Sequence, residues 1–472
     1  MKKYDLIVVG AGSGGLVAAE TAADLGASVA LVEKQNKLGG ECLHYGCVPS
    51  KSLIHVARQV YTARTSPYVE VNKKPVDFKQ VTAHLTHAIN CIEKSHDNDE
   101  YFTAKGVTVL HGDVRFTGKR TLQAGTATLT AKRIIIATGS SPFVPPIEGI
   151  DDVPYLTNET IFSLKELPKS LIVVGGGPIG CELGQAFAML GSKVSIVQSG
   201  PRLLPKEEEE ASELLHKSMK KMDIELLYEA KLKAVSAKKN GVTAHIDKDG
   251  KTNTIEGSHI LIATGRKPNV PDNLEVASVR VGKRGIGVNE NLQTHNSNIY
   301  AIGDCNGGLQ FTHTAAEQAA LTVRHALYGF AREFMGIHET PWVTFTLPEI
   351  AHFGETKTSL SEAKKSYSVR KIDYTAVDKA ITENESGYVE VLIDKGGAIL
   401  GATIVGRSAG ELINSIAIIK KFGTLKDAAG IIQAYPTYGM ALKQLASNLA
   451  IEDATSGIKG IIVRHLRKFN LR

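Results

Sequence analysis

Cysteine is scarce in this chain, with five residues among 472. That is too sparse for the disulfide framework of a secreted scaffold, and only Cys42 and Cys47 stand close together. In a reducing compartment such a pair either does redox chemistry or binds metal. Long hydrophobic runs are also missing: no stretch approaches the roughly eighteen uninterrupted apolar residues of a bilayer-spanning helix. The opening MKKYDLIVVGAGSGGLVAA imitates a secretory leader, because two lysines precede an apolar run. Asp5 and the glycine spacing speak against one, so a cytoplasmic protein is expected. Charge of one sign is not concentrated anywhere. Lys and Arg number 55 against 49 Asp and Glu, a formal +6 spread along the chain, which argues against nucleic acid and points weakly to anionic ligands. What is present, 43% hydrophobic and 22% charged residues, is the balance of a soluble globular protein. At about 150 residues per domain the length suggests about three units.

Residues 4 to 9, YDLIVV, read as a buried strand running into Gly10-Ala11-Gly12-Ser13-Gly14-Gly15 and an alanine-rich helix. This is GxGxxG in strand-turn-helix context: the first glycines let the backbone approach a pyrophosphate, Gly15 lets helix and strand pack, and the helix N-terminus faces the phosphate charge. A second strand, SVALVE, ends at Glu33, 23 residues after Gly10, where a carboxylate can accept from a ribose diol. The pattern recurs at Gly175, Gly177 and Gly180, with its second strand ending at Gln198, again 23 residues on. Equal spacing marks an internal repeat of the βαβ unit. Gln198 is neutral and repels no 2′-phosphate, while Ser199, Arg202 and Lys206 lie nearby to bind one, so NADPH is favoured slightly over NADH. Two further strands are expected to end alike, RIIIATGS at 133–140 and ILIATGRKPN at 260–269. NIYAIGDC then delivers Asp304 ahead of a helical run, placed to hold the ribityl hydroxyls of a flavin.

The cysteine pair sits in Gly39-Gly40-Glu41-Cys42-Leu43-His44-Tyr45-Gly46-Cys47-Val48-Pro49-Ser50-Lys51. Pro49 and Ser50 are first-turn residues, and Leu53, Ile54, Val56, Ala57, Val60 and Tyr61 recur at helical spacing. Cys47 is therefore expected at or just before a helix N-terminus, where the positive end of the dipole lowers a thiol pKa. Structural zinc needs four ligands, and the sequence offers no second C-x2-4-C or paired histidine spacing. No metal site is expected.

GGECLHYGCVPSK, the two GxGxxG units, the two ATG strands and the GD segment together resemble, along essentially the whole chain, the FAD-dependent pyridine nucleotide-disulfide oxidoreductases, the group of lipoamide dehydrogenase, glutathione reductase and mercuric reductase. The resemblance implies an α/β chain with two Rossmann-like nucleotide-binding domains and a C-terminal α+β dimerisation domain. Its implied boundaries are 1–150 and 271–340 for the two parts of the FAD domain, 151–270 for the NAD(P)H domain and 341–472 for the interface of a homodimer. FAD would be held by Gly10, Gly12, Gly14, Gly15, Glu33, Lys34, Gly40, Glu41, Val114, Thr138, Gly139, Asp304, Thr312 and Ala315. NADPH or NADH would be held by Gly175, Gly177, Gly180, Gln198, Ser199, Arg202 and Gly265. The resemblance also implies that Cys47 is the charge-transfer thiol, Cys42 the interchange thiol, and Lys51 with Glu182 an ion pair beside the flavin.

The departure lies in the last domain. Where the thiol reductases carry H-P-T-x-x-E, this chain reads Tyr435-Pro436-Thr437-Tyr438-Gly439-Met440. Histidine titrates near neutrality and can shuttle the proton of thiol-disulfide exchange; tyrosine, with a pKa near 10, does so poorly. The expected activity is thus NAD(P)H-driven reduction of the Cys42-Cys47 disulfide and then of an unidentified small acceptor. A mercuric-reductase-like metal-ion or quinone reductase and a dihydrolipoamide dehydrogenase are the alternatives. The mercuric enzymes resemble the chain in carrying that tyrosine, but they add a C-terminal cysteine pair that IIVRHLRKFNLR lacks. His44, His313 and His352 are candidates to replace the missing base, His313 the best placed. EEEE at 207–210 reads as a solvated helix start. In the tail, Ile462, Leu466 and Phe469 share a helical face with Arg464, Arg467, Lys468 and Arg472 largely off it; such an end either rests on an anionic membrane surface or packs on the dimer.

Overall fold

A computed structural model describes residues 2–71, 74–330 and 336–470. The chain divides into two compact units, residues 1–203 with 220–334 and residues 204–219 with 335–472.

In the first unit the apolar run Lys2–Val9 becomes a strand whose second half is fully buried. It pairs in parallel with Val29–Glu33 on one side and Ala127–Ile136 on the other. Thr108–His111 extends the sheet beyond Val29–Glu33, Ile299–Ala301 adds to Ala127–Ile136, and an antiparallel pair, Val114–Gly118 and Thr121–Ala124, completes seven strands. The helices Ser13–Asp24 and Thr312–Tyr328 share one core on this sheet, with Ala18 and Ala22 against Ala319 and Val323. The small side chains are what let the helices approach closely. A second parallel sheet of four strands, ordered Glu225–Leu227, Lys193–Val197, Ser170–Val174, His259–Ile262, carries the helix Pro178–Leu190. A three-stranded antiparallel sheet, residues 230–257, lies beside it in sequence.

Both ATG strands stop earlier than the sequence suggests, at Ile136 and Ile262. Gly139 and Gly265, at φ +66° and +133°, turn the chain out of the extended region. It resumes as a short antiparallel pair, Ser140–Pro142 with Arg266–Pro268.

The second unit is a five-stranded antiparallel sheet, ordered Pro341–Thr344, Glu349–Gly354, Ile399–Gly406, Tyr388–Ile393, Ser368–Asp373. Ile413 and Ile416 from the helix Ala409–Phe422 and Leu442 and Leu445 from Met440–Thr455 join Val389, Val391 and Ile404 in its core. The acidic run is not a solvated helix start throughout. Glu207 is buried and accepts from Trp342 Nε1 at 2.7 Å, Glu208 accepts from the Lys357 backbone N–H at 2.8 Å, and the helix begins at Glu209. The first carboxylate ties this segment to the sheet and the second to the start of the helix Lys357–Glu362. The tail forms a helix, Gly457–Asn470, in which only Gly460 is buried; Arg472 lies outside the described residues. Among the described residues no helix is long and apolar enough to cross a membrane.

Candidate active site

The two glycine-rich turns are near copies. Gly10 and Gly175 take φ +98° and +115° because the next strand's carbonyl presses on them: a Cβ would stand 2.5 Å from Ala137 O in one and 2.3 Å from Ala263 O in the other. At Gly15 and Gly180 a Cβ would meet the carbonyl oxygens of Gly10 and Gly175 at 1.8 and 1.9 Å. No side chain larger than hydrogen fits these two helix-strand contacts. Gly12 and Gly177 are the N-caps of Ser13–Asp24 and Pro178–Leu190, and neither cap has a side-chain hydrogen bond. Their first-turn N–H groups are thus directed at whatever anion the turn receives.

The ends of the two second strands also correspond. Glu33 Oε2 accepts from Ala11 N–H at 2.7 Å and its Oε1 from Gln35 N–H at 2.9 Å. Gln198 Oε1 accepts from Gly176 N–H at 2.9 Å, and its Nε2 donates to Arg202 O at 3.2 Å. Each turn is therefore braced by the side chain 22 residues beyond it, a carboxylate in one copy and an amide in the other. Lys34 and Ser199 are exposed and Arg202 is half-buried.

The redox segment packs on the first turn, where a Cβ on Gly40, at φ +58°, would sit 2.6 Å from Gly12 Cα. It forms a short helix, Gly40–His44, followed by Cys47–Thr65, whose first residue is Cys47. Cys42 and Cys47 are both free thiols, the first half-buried and the second exposed. They hydrogen-bond to each other, and this bond sets an asymmetry. It is the largest cause lowering the Cys47 thiol to about 6; burial works against it, Thr312 and the Lys51 charge lower it further, and the Glu182 charge opposes. The same bond, with burial, pushes Cys42 far above the usual thiol range, against hydrogen bonds to Thr312 and Ser13. The sulfur anion thus belongs on Cys47. Thr312 Oγ1 lies 3.3 Å from Cys47 Sγ. Lys51, one helical turn beyond Cys47, reaches the largely buried Glu182 at 2.8 Å, so an ion pair joins the redox helix to the second nucleotide unit.

Glu41 anchors the segment from the other side. Its carboxylate pairs with both terminal nitrogens of Arg266 and accepts from Asn158 Nδ2 at 2.7 Å. Burial pushes its carboxyl up to about 7, against the pull of Arg266 and with the help of the Asp304 charge. Arg266 also donates to Ser140 Oγ and O at 2.7 Å, and Ser140 Oγ donates to Asp304. Asp304 lies in a short 3-10 turn, 3.7 Å from Arg266 Nε. Sequence reasoning did not single out Arg266, Asn158, Ser140 or Ser13. Arg266 follows directly on Gly265 in the second ATG segment, the one signal that marked it.

Of the remaining expected residues, Thr138 Oγ1 donates to Asn269 O at 2.6 Å, Ala315 is buried against Gly14 and Gly303, and Val114 opens an antiparallel strand. Tyr435 lies in the second unit, 69% exposed, with its hydroxyl donating to Asp378 at 3.0 Å. That bond raises its pKa, away from a role as a base near neutrality. Among the base candidates, His352 is buried in the second unit between Thr403 and Gly354 O, and burial lowers it to about 4. His44 Nε2 bonds to Leu38 O at 2.7 Å, and His313 stacks on Phe311. Among the described residues no cluster of three or more potential metal ligands occurs.

Known proteins resemble this chain over most of its length. The family described as pyridine nucleotide-disulphide oxidoreductase matches residues 4–319, and its dimerisation domain matches 340–446. Mercuric reductase of Bacillus cereus is 35% identical over 450 residues, covering 93% of this chain and 70% of the relative. Dihydrolipoyl dehydrogenase of Staphylococcus aureus is 33% identical over 449 residues, 92% of this chain and 94% of the relative. Among solved structures, the Cu(II) complex of the HOCl-induced flavoprotein disulfide reductase RclA from Escherichia coli aligns with TM-score 0.84 at 26% identity, covering 95% of this chain and 100% of that one. LpdA from Mycobacterium tuberculosis aligns with TM-score 0.87 at 25% identity, with the same coverage. The chain belongs to the pyridine nucleotide-disulphide oxidoreductases, flavin-dependent enzymes that use FAD and pyridine nucleotides.

Proposed function

We propose that the chain is a cytoplasmic, homodimeric NAD(P)H oxidoreductase that passes two electrons through Cys42 and Cys47 to a small acceptor. The observation that carries this reading is the polarised thiol pair: a low-pKa Cys47 at a helix N-terminus beside Thr312 and Lys51, and a high-pKa Cys42 next to it. The first glycine turn, with its uncapped helix N-terminus and its tight glycine contacts, fits the pyrophosphate of FAD, with Glu33 and Lys34 at the adenosine end. Gly14, Gly40, Glu41, Val114, Thr138, Gly139, Asp304, Thr312 and Ala315 complete that site. The second turn, open around Gly177, fits NAD(P)H, with Gln198, Ser199, Arg202 and Gly265 lining it. Bound there, FAD supplies an acceptor for the hydride of the nicotinamide and a two-electron donor to the thiol pair.

The protein's own part is to hold charge and exchange sulfur. Lys51, anchored by Glu182, offsets negative charge next to Cys47. Thr312 donates its hydrogen bond to the Cys47 anion. Cys42 attacks the acceptor: with a disulfide, one acceptor sulfur leaves as a thiol while the other bonds to Cys42. Cys47 then displaces it as a second thiol and closes the Cys42-Cys47 bond. Two electrons leave with the product, together with one proton from the Cys42 thiol and one from solvent, because Cys47 enters the exchange as an anion.

The Tyr435 and Met440 replacements bear on the acceptor. Without a neutral-pH base, expulsion of a basic carbon thiol is slow, which favours an acceptor whose leaving group needs little protonation, such as a specialised disulfide or a persulfide. A metal-ion or quinone acceptor is the second reading, favoured by the same tyrosine; dihydrolipoamide is the third. The neutral Gln198 and the nearby Arg202 favour NADPH over NADH. Steady-state NADPH and NADH oxidation against disulfides, Hg(II), Cu(II) and quinones tests the proposal. Turnover with at least one acceptor, lost in both Cys42→Ser and Cys47→Ser, supports it; turnover surviving both substitutions overturns it.

A further inference from the structure

The helix Gly457–Asn470 lies beyond residue 446, where the match to the dimerisation domain ends. On a wheel of about 100° per residue, Ile461, Ile458, Phe469, Ile462 and Leu466 lie within an arc of roughly 140° that also holds His465. The five apolar side chains are 52–85% exposed. Lys468 and Lys459 stand at the two borders of the arc, while Arg464 and Arg467 lie opposite it with Gly460, the one buried residue. The segment contains no acidic residue, and only Lys459 is paired among the described residues, with Asp453. At about 1.5 Å per residue its 14 residues span roughly 21 Å, short of the roughly 30 Å hydrocarbon core.

We propose that this helix lies in the plane of an anionic phospholipid surface, with the apolar arc sunk among the acyl chains and the two border lysines at headgroup level. An outward apolar arc alone would suit several partners; its cationic borders select one. Positive side chains next to a water-facing apolar stripe match the chemistry of an anionic leaflet. A second copy of the same helix is a poor match, because a two-fold contact through the arc would bring the border residues Lys459 and Lys468 against lysines of the duplicate helix with no carboxylate in the segment to pair them. This inference is independent of the electron acceptor and needs no turnover to test.

The test is flotation of the purified, cofactor-loaded full chain with vesicles of phosphatidylcholine alone or mixed with phosphatidylglycerol. The expected result is recovery of most protein with the anionic vesicles and little with the neutral ones, with binding falling several-fold as salt is raised. The double substitution Leu466→Asp, Phe469→Asp should lower anionic-vesicle binding at least tenfold while NADPH oxidation and sedimentation behaviour stay as in the wild type. Lys459→Gln with Lys468→Gln should lower it several-fold. Failure of the wild-type chain to float with anionic vesicles overturns the proposal, as does floating that the aspartates leave unchanged. A change of oligomeric state in the aspartate variant also overturns it, and assigns the face to an interface between copies.

Discussion

Replacing Thr312 by valine removes one hydrogen-bond donor from the Cys47 sulfur and nearly preserves side-chain shape. The hydroxyl lies 3.3 Å from Sγ, and it is one of the causes holding the Cys47 thiol near 6 rather than at the ordinary 9. A hydrogen bond to a charged group contributes about 1.5–3 kcal/mol, and one pKa unit corresponds to about 1.4 kcal/mol. Sulfur is a weak acceptor, so the low end applies, and the substitution should raise the Cys47 pKa by about one unit. The assay is the rate of iodoacetamide modification at Cys47 in the reduced enzyme as a function of pH, read by mass spectrometry. Wild type should show an inflection near 6, Thr312→Val one about a unit higher, and Thr312→Ser one close to wild type. An inflection unmoved by valine would refute the assignment of Thr312 as a stabiliser of the anion. Loss of the wild-type inflection would refute the anion itself.

Lys51→Met should raise the same inflection and also lower stability by about 1–2 kcal/mol, because it takes the Lys51 ion-pair partner away from the largely buried Glu182 carboxylate; Lys51→Met, Glu182→Leu should recover much of that stability in thermal melting while leaving the inflection high. Gly15→Ala should yield a colourless protein, whereas Gly180→Ala should remain yellow with NAD(P)H binding reduced at least tenfold, as measured by absorbance and nucleotide titration; colour in the first or normal titration in the second contradicts the division between the turns. Glu41 has a folded-state pKa raised from 4.5 to about 7, so its contribution to stability is full below about 4.5 and is lost as pH rises through about 7. The difference in melting temperature between wild type and Glu41→Gln should therefore fall across that window; a difference that rises with pH would show that Arg266, rather than burial, sets the balance.

The glycine turns and the cysteine segment were legible because their determinants are local. A positive φ at Gly10 or a close approach at Gly15 imposes a residue type at a set distance from the strand, and so does a thiol at a helix start. Together with the ATG and GD segments they carry the resemblance to a known family, and that resemblance implied the α/β class. What escaped was assembled across long sequence separations: Arg266 and Asn158 reach Glu41 from 225 and 117 residues away, and no local pattern marks an asparagine for that task. The ATG strands were read as too long because Ala-Thr continues an apolar run, while the turn at Gly139 or Gly265 is set by a conformation that composition does not display. Glu207 was misread for a related reason: four adjacent acids suggest water, yet the first of them is itself buried and accepts from the Trp342 indole.

The central claim is that reducing equivalents from a pyridine nucleotide arrive at Cys42 and Cys47. Anaerobic addition of NADPH to the oxidised holoenzyme, followed by alkylation under denaturing conditions and peptide mass spectrometry, reads this directly. The account predicts that both cysteines change from unreactive to alkylated together as nucleotide is consumed, with Cys91, Cys181 and Cys305 labelled equally before and after. Flavin bleaching with Cys42 and Cys47 still resistant to the reagent, or the pair already fully labelled in the oxidised protein, would contradict it.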